Sequence, residues 1–197
     1  MIERIDRAVH KIAYLTALLG GLVLSALMLM TTISIIGREL GAMGHRLLRT
    51  ESGFLHSLGE AINSVGFAPL PGDFELVSVG MAFCIFAFLP WCQIRRGHVT
   101  VDIFLSKVGT RTNYLIDVIA NALMTAAIAV VSWGIYAGML DKMAYNETSF
   151  ILQFPIWWAF AACLVGSIIF TLICLYTVWR SLREYRSGRH VVLSGGR

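Results

Sequence analysis

The order of apolar and polar positions divides the chain into four long blocks. Between Lys11 and Arg38 no charged residue occurs for 26 positions, 12–37. Further uncharged runs cover 19 positions at 76–94, 23 at 118–140 and 32 at 148–179. A bilayer core needs roughly 20 apolar residues per helix, so each run can cross once. The pattern predicts an all-α membrane protein, one integral membrane domain over 1–197, with four spans near 12–36, 74–94, 114–139 and 155–176. The first run exceeds the roughly 7–15 apolar residues of a cleaved signal peptide and no small-residue cleavage pattern closes it, so a retained span is expected.

The segments between spans carry their own periodicity. Ile2, Ile5, Val9 and Ile12 recur at spacings of three and four with charges between them, which predicts a short amphipathic lead-in on the inner membrane face. In the first span Gly20, Gly21, Ser25 and Ala26 offer small surfaces to a neighbouring helix. The connection 37–72 contains Phe54, Leu58, Ile62 and Val65 on one helical face, with Glu51, Ser57, Glu60 and Ser64 on others. It predicts a periplasmic amphipathic helix, capped by Thr50 or Ser52 and stopped by Gly66 and the Pro69–Pro71–Gly72 run. Pro90 falls in the last turns of the second span, where it favours a kink. Gly97 suits the end of that helix, and Asp102 suits the cap of a short cytoplasmic interfacial helix at Ile103–Val108. Pro155 suits the first turn of the fourth span.

Composition agrees, with 57% hydrophobic and 14% charged residues. The net charge of +4 matters through its distribution. Twelve of the sixteen basic residues fall in 1–11, 95–111 and the tail 180–197, leaving Arg38, Arg46, Arg49 and Lys142 on the other side. The positive-inside rule then places both termini in the cytoplasm of a bacterial inner membrane. The basic surplus reads as an orientation signal and a contact for anionic lipid, with no nucleic-acid motif beside it. Trp91, Trp133, Trp157, Trp158 and Trp179 all fall near expected membrane boundaries, as an aromatic belt requires.

Chemistry is conspicuous by what the spans omit. Their middles hold no Asp, Glu, Lys, Arg or His, whereas a translocation site normally gathers such groups near the midplane. Ser25, Thr31, Thr32, Ser34, Ser167 and Thr171 are expected to bond back to carbonyls of their own helices. Asp117 and Asn121 share one face of the third span. The histidines, His10, His45, His56, His98 and His190, all lie outside the spans, which argues against a haem. Cys84, Cys92, Cys163 and Cys174 match no metal or redox spacing and are expected to pack as small apolar residues. No catalytic, substrate-binding or cofactor motif is present. At the outer ends of the first two spans, Arg38 and Glu75 are candidates for a cross-helix ion pair.

The stretch Glu75–Asp102, ELVSVGMAFCIFAFLPWCQIRRGHVTVD, resembles the signature of the small membrane subunit of tripartite ATP-independent periplasmic (TRAP) transporters, the DctQ family. The matching positions are Glu75 and Leu76 at the outer start of the second span, Arg95, Arg96, Gly97, His98, Val99, Val101 and Asp102 in the inner turn, and Arg38 after the first span. The family often has one more residue between the Gly and the His, a Trp where Phe83 stands, and a shorter outer loop. The resemblance implies four spans and a non-translocating subunit. Its partners would be a large multi-span subunit holding the substrate and sodium sites, a periplasmic substrate-binding protein delivering an organic anion, and lipids. Within the inner turn, Arg95, Arg96, His98 and Asp102 are expected to set the loop geometry and hold a lipid phosphate, the alternative being a basic loop that obeys only the orientation rule. The residues by themselves leave open a stand-alone channel or exporter, and a membrane anchor of a redox complex.

Overall fold

Long stretches of helix-favouring residues without proline fold as helices that outlast the apolar blocks. The computed structural model describes residues 2–49, 53–64, 66, 70–95 and 110–187. Its helices are α1 (Ile2–Leu48), α2 (Gly53–Ser64), α3 (Asp73–Ile94), α4 (Thr110–Ala144) and α5 (Trp157–Ser187). Among the described residues all regular structure is helical apart from one isolated bridge between Thr148 and Pro155. α1, α3, α4 and α5 are each long and apolar enough to cross a membrane.

The helix carrying the first span neither begins at Ile12 nor ends at Ile36. α1 has 47 residues, about 70 Å at 1.5 Å per residue against a hydrocarbon core of roughly 30 Å. No proline lies in this stretch to stop it. The lead-in at 2–11 is therefore coaxial with the span instead of lying on the surface, and residues 37–48 extend the helix past its other end. α5 likewise runs through Arg186 into the basic tail. The expected caps Thr50 and Ser52, Val65 of the amphipathic face, and the interfacial helix at Ile103–Val108 lie outside the described residues.

The helices stand in an open row rather than a closed four-cornered bundle. α4 packs on α5, α5 on α3, and α3 on α1, while α1 meets α5 only near the chain ends. The inner members are consequently better covered: a third of the most apolar window of α5 is buried, against 6% in α4. The first and last described residues share one end of the row, where the Tyr176 hydroxyl donates to Asp6 Oδ1 at 2.6 Å. This is the terminal end; the opposite one is the loop end.

α1 and α3 run antiparallel along a seam that repeats every seven residues. Ala13 packs with Ile94. A Cβ on Gly20 would lie 2.8 Å from Ala87 Cβ, and one on Gly80 would lie 2.5 Å from Leu27 Cδ1. Ser34 meets Asp73 at the loop end. Every one of these contacts includes a small residue, which lets the backbones approach closely where lipid supplies no hydrophobic drive. Of the adjacent glycines, Gly20 serves this contact and Gly21 faces open space. At the α3–α5 contact, Gly166 sits where a Cβ would come 2.9 Å from Phe86 Cβ and 3.6 Å from its carbonyl oxygen. Pro90 lacks the N–H that would otherwise bond that carbonyl, so the close approach occurs where the ladder is interrupted.

α2 folds back on the extension of α1 as an antiparallel hairpin. A Cβ on Gly44 would lie 2.9 Å from Ile62 Cγ2, and one on Gly59 would lie 2.9 Å from the Leu48 amide nitrogen and 3.1 Å from the Gly44 oxygen. The hairpin projects beyond the start of α3, because Ser34 already lies level with Asp73. A glycine inside a helix costs about 1 kcal/mol relative to alanine, so Gly59 is retained for contact. Gly59→Leu is expected to prise α2 from α1 at a cost of about 1–3 kcal/mol. Faster amide exchange confined to α2 would show it; unchanged exchange there would refute this role.

Candidate functional site

Polar groups gather at both ends of the row. At the loop end the buried Ser34 hydroxyl donates to Asp73 Oδ2 at 2.5 Å and accepts the Leu70 amide at 3.2 Å. It thereby ties the chain's return into α3 to the side of α1. Arg38, one turn further along α1, lies 3.5 Å from Asp73 Oδ2. The cross-helix partner of Arg38 is thus Asp73 and not Glu75. The two-residue offset matters because residues 73 and 75 lie on different sides of a helix.

Glu75 has another task. Its Oε1 accepts the Ile151 amide at 2.7 Å and its Oε2 the Leu152 amide at 3.0 Å. A carboxylate holding two successive amides anchors the α4–α5 connection to the first turn of α3. Gly72, at φ 76°, adds a second anchor: a Cβ there would fall 2.4 Å from Leu152 Cγ, so the leucine occupies the space a side chain would take. The connection is braced internally as well. Ser149 donates its amide to the Phe154 carbonyl at 2.9 Å, Ile156 donates to Glu147 at 3.0 Å, and Lys142 bridges to Glu147 at 2.7 Å.

At the terminal end a network joins three helices. Gln93 Nε2 on α3 donates to Asn121 Oδ1 on α4 at 2.7 Å and to Thr177 Oγ1 on α5 at 3.1 Å. Asn121 Nδ2 donates to Ser181 Oγ at 3.1 Å and to the Asp117 carbonyl at 2.8 Å. Gln93, Thr177 and Ser181 are buried, and so are Arg180 and Glu184 on α5. The basic tail is therefore, over 180–184, partly a packed helical face. Arg95 stacks over Trp91 at 4.7 Å and Arg183 over Trp179 at 4.9 Å, which holds both guanidinium groups at the helix ends. Arg96, Gly97, His98 and Asp102 of the inner turn lie outside the described residues.

Between the two ends most hydroxyls are spent locally, and Ser132 on α4 meets Thr171 on α5 at 3.2 Å. Ser25, Thr31, Thr32, Ser167 and Thr171 each donate to a carbonyl of their own helix, at 2.7–2.9 Å. Ser34 departs from that expectation by bonding across helices. The four cysteines are free thiols, three of them buried. Among the described residues no group of three or more His, Cys, Asp or Glu is placed to hold a metal. Gln93 was open to detection as the one strongly polar side chain late in the second uncharged run. Asp73 and Tyr176 carried no comparable signal.

A family model for tripartite ATP-independent periplasmic transporters, DctQ component, matches residues 65–184. No curated protein and no solved structure matches the chain. The matched stretch contains α3, α4 and α5 and leaves α1 and the projecting hairpin outside. With well over half of the chain matched, including every helix of the two polar clusters except α1, the protein belongs to the DctQ family, a multi-pass membrane component of tripartite ATP-independent periplasmic transporters and not an enzyme.

Proposed function

We propose that this chain is the non-translocating scaffold of its transporter, holding a large sodium-coupled subunit in place while that subunit carries an organic anion across. The observation that supports this most is the use of polar groups within the spans. Mid-span hydroxyls bond their own backbones or, at Ser132 and Thr171, each other, and the ionisable groups sit at the ends. A solute site needs polar groups aimed at a cavity near the midplane, and these helices have none to spare among the described residues. The open row also leaves long apolar faces on α1 and α4 for lipid or for a second membrane protein. A periplasmic binding protein would deliver the substrate on the loop-end side, if the termini are cytoplasmic as the basic residues favour. Arg95 would then face anionic headgroups in the inner membrane.

Expression of the tagged chain from its native operon, followed by mild extraction, tests this reading. The expected result is a stable one-to-one complex with a larger multi-span protein, while the chain reconstituted alone is inactive in uptake. Recovery of the chain by itself as a transport-active homo-oligomer would replace the scaffold with a self-sufficient channel or exporter.

A further inference from the structure

The α4–α5 connection combines two features that seldom occur together in a water-exposed loop. Its tip exposes large apolar side chains, and several of its backbone amides are already bonded. From Thr148 to Trp158 there is no charged residue. Phe150 is 91% exposed, and Ile151 and Leu152 beside it are exposed as well. Such a surface would be costly in water and is normally covered.

The backbone shows what covers it. Glu75 takes the Ile151 and Leu152 amides, the Phe154 carbonyl takes the Ser149 amide, and the Phe150 carbonyl accepts Gln153 Nε2 at 2.9 Å. Thr148 Oγ1 and Gln153 Oε1 satisfy each other at 3.1 Å. Irregular backbone is excluded from lipid because unpaired N–H and C=O groups cost several kcal/mol there. Here the Ile151 and Leu152 amides at the tip escape that objection. The apolar tip is also continuous with the exposed faces of the adjoining spans. Phe74 in the first turn of α3 and Trp158 in the first turn of α5 are exposed next to it, followed by Leu76, Met81 and Ile85 on α3 and by Val165 and Ile168 on α5.

We infer that the α4–α5 connection is seated in the headgroup–acyl boundary of the bilayer, with Phe150 and Ile151 as its lipid-contacting anchors and Glu75 as the internal acceptor that permits it. The adjacent α1–α2 hairpin supplies the contrast at the same end of the row. It exposes the charged Arg46, Arg49 and Glu60 and the polar Ser57 beside Phe54, and those charges hold it in water.

The experiment places single cysteines at Phe150→Cys, Ile151→Cys and, as the aqueous reference, Ser57→Cys. The full-length chain is reconstituted alone in phosphatidylethanolamine–phosphatidylglycerol vesicles and treated with a charged, membrane-impermeant maleimide. Positions 57, 150 and 151 lie on one side of the membrane, so mixed insertion affects all three equally, and the native chain sets the background. The expected result is reaction at 150 and 151 at least about tenfold slower than at 57, since apolar surroundings hold a thiol in its unreactive protonated form. Equal rates at all three positions would overturn the inference. Fast reaction at 150 and 151 in the chain alone, turning slow only in the assembled transporter, would overturn it too and assign the loop to a protein partner. Ile151→Cys guards against misfolding of the Phe150 variant, and a native-like thermal transition is required of each.

Discussion

Asn121→Leu is expected to destabilise the assembled helices by about 1–3 kcal/mol, the cost of stripping buried polar groups of their partner. Asn121 accepts from Gln93 and donates to Ser181, so its loss affects α3 and α5 at once. Leucine restores apolar volume but no acceptor, so the Gln93 amide loses its 2.7 Å bond while keeping the one to Thr177, and that loss outweighs the gain. Gln93→Leu added to it should recover part of the loss, because removing both partners of a hydrogen bond is cheaper than removing one. The coupling should be smaller than in a dry soluble core, since membrane double-mutant cycles average about 0.6 kcal/mol and reach about 1.7. Thermal unfolding of the two single variants and the double variant in bicelles measures it. Strictly additive losses would mean that the network joins no helices energetically.

Glu75→Gln is expected to release the α4–α5 connection while leaving the α1–α3 seam intact. A carboxylate offers one oxygen to each of the Ile151 and Leu152 amides. A carboxamide offers a single oxygen and turns an N–H toward the other amide, so one acceptor becomes a donor facing a donor. Amide exchange at Ile151 and Leu152 should rise by about tenfold or more, since charge-assisted bonds are roughly twice as strong as neutral ones. Exchange in α3 beyond its first turn should stay unchanged. Glu75→Asp should behave similarly, because the side chain is one methylene shorter. Unaltered protection of the connection in both variants would show that Gly72 and Leu152 hold it without the carboxylate.

The expected Arg38–Glu75 pair shows where one-dimensional reasoning stops. Both residues lie at the loop end of the row, and both are engaged across elements, yet with different partners. Helix register decides which of two acidic residues two positions apart faces α1, and register follows from packing along the whole seam. The same holds for Asn121, whose position in the third span was plain while its bonds to Gln93 and Ser181 depend on how three helices rotate about their axes.

The sequence by itself determined the number of spans, their order and the absence of mid-span ionisable chemistry. Those properties follow from composition over windows of about 20 residues, which the bilayer reads directly. It also carried the family signature in the stretch from Glu75 to Asp102. The tertiary structure alone decided that the row is open, that α2 docks on an extended α1, and that Glu75 holds a loop 76 residues away. These depend on close approaches at Gly20, Gly59, Gly72 and Gly80, where a single missing Cβ sets a contact. A glycine in sequence does not say which neighbour will use the space it leaves.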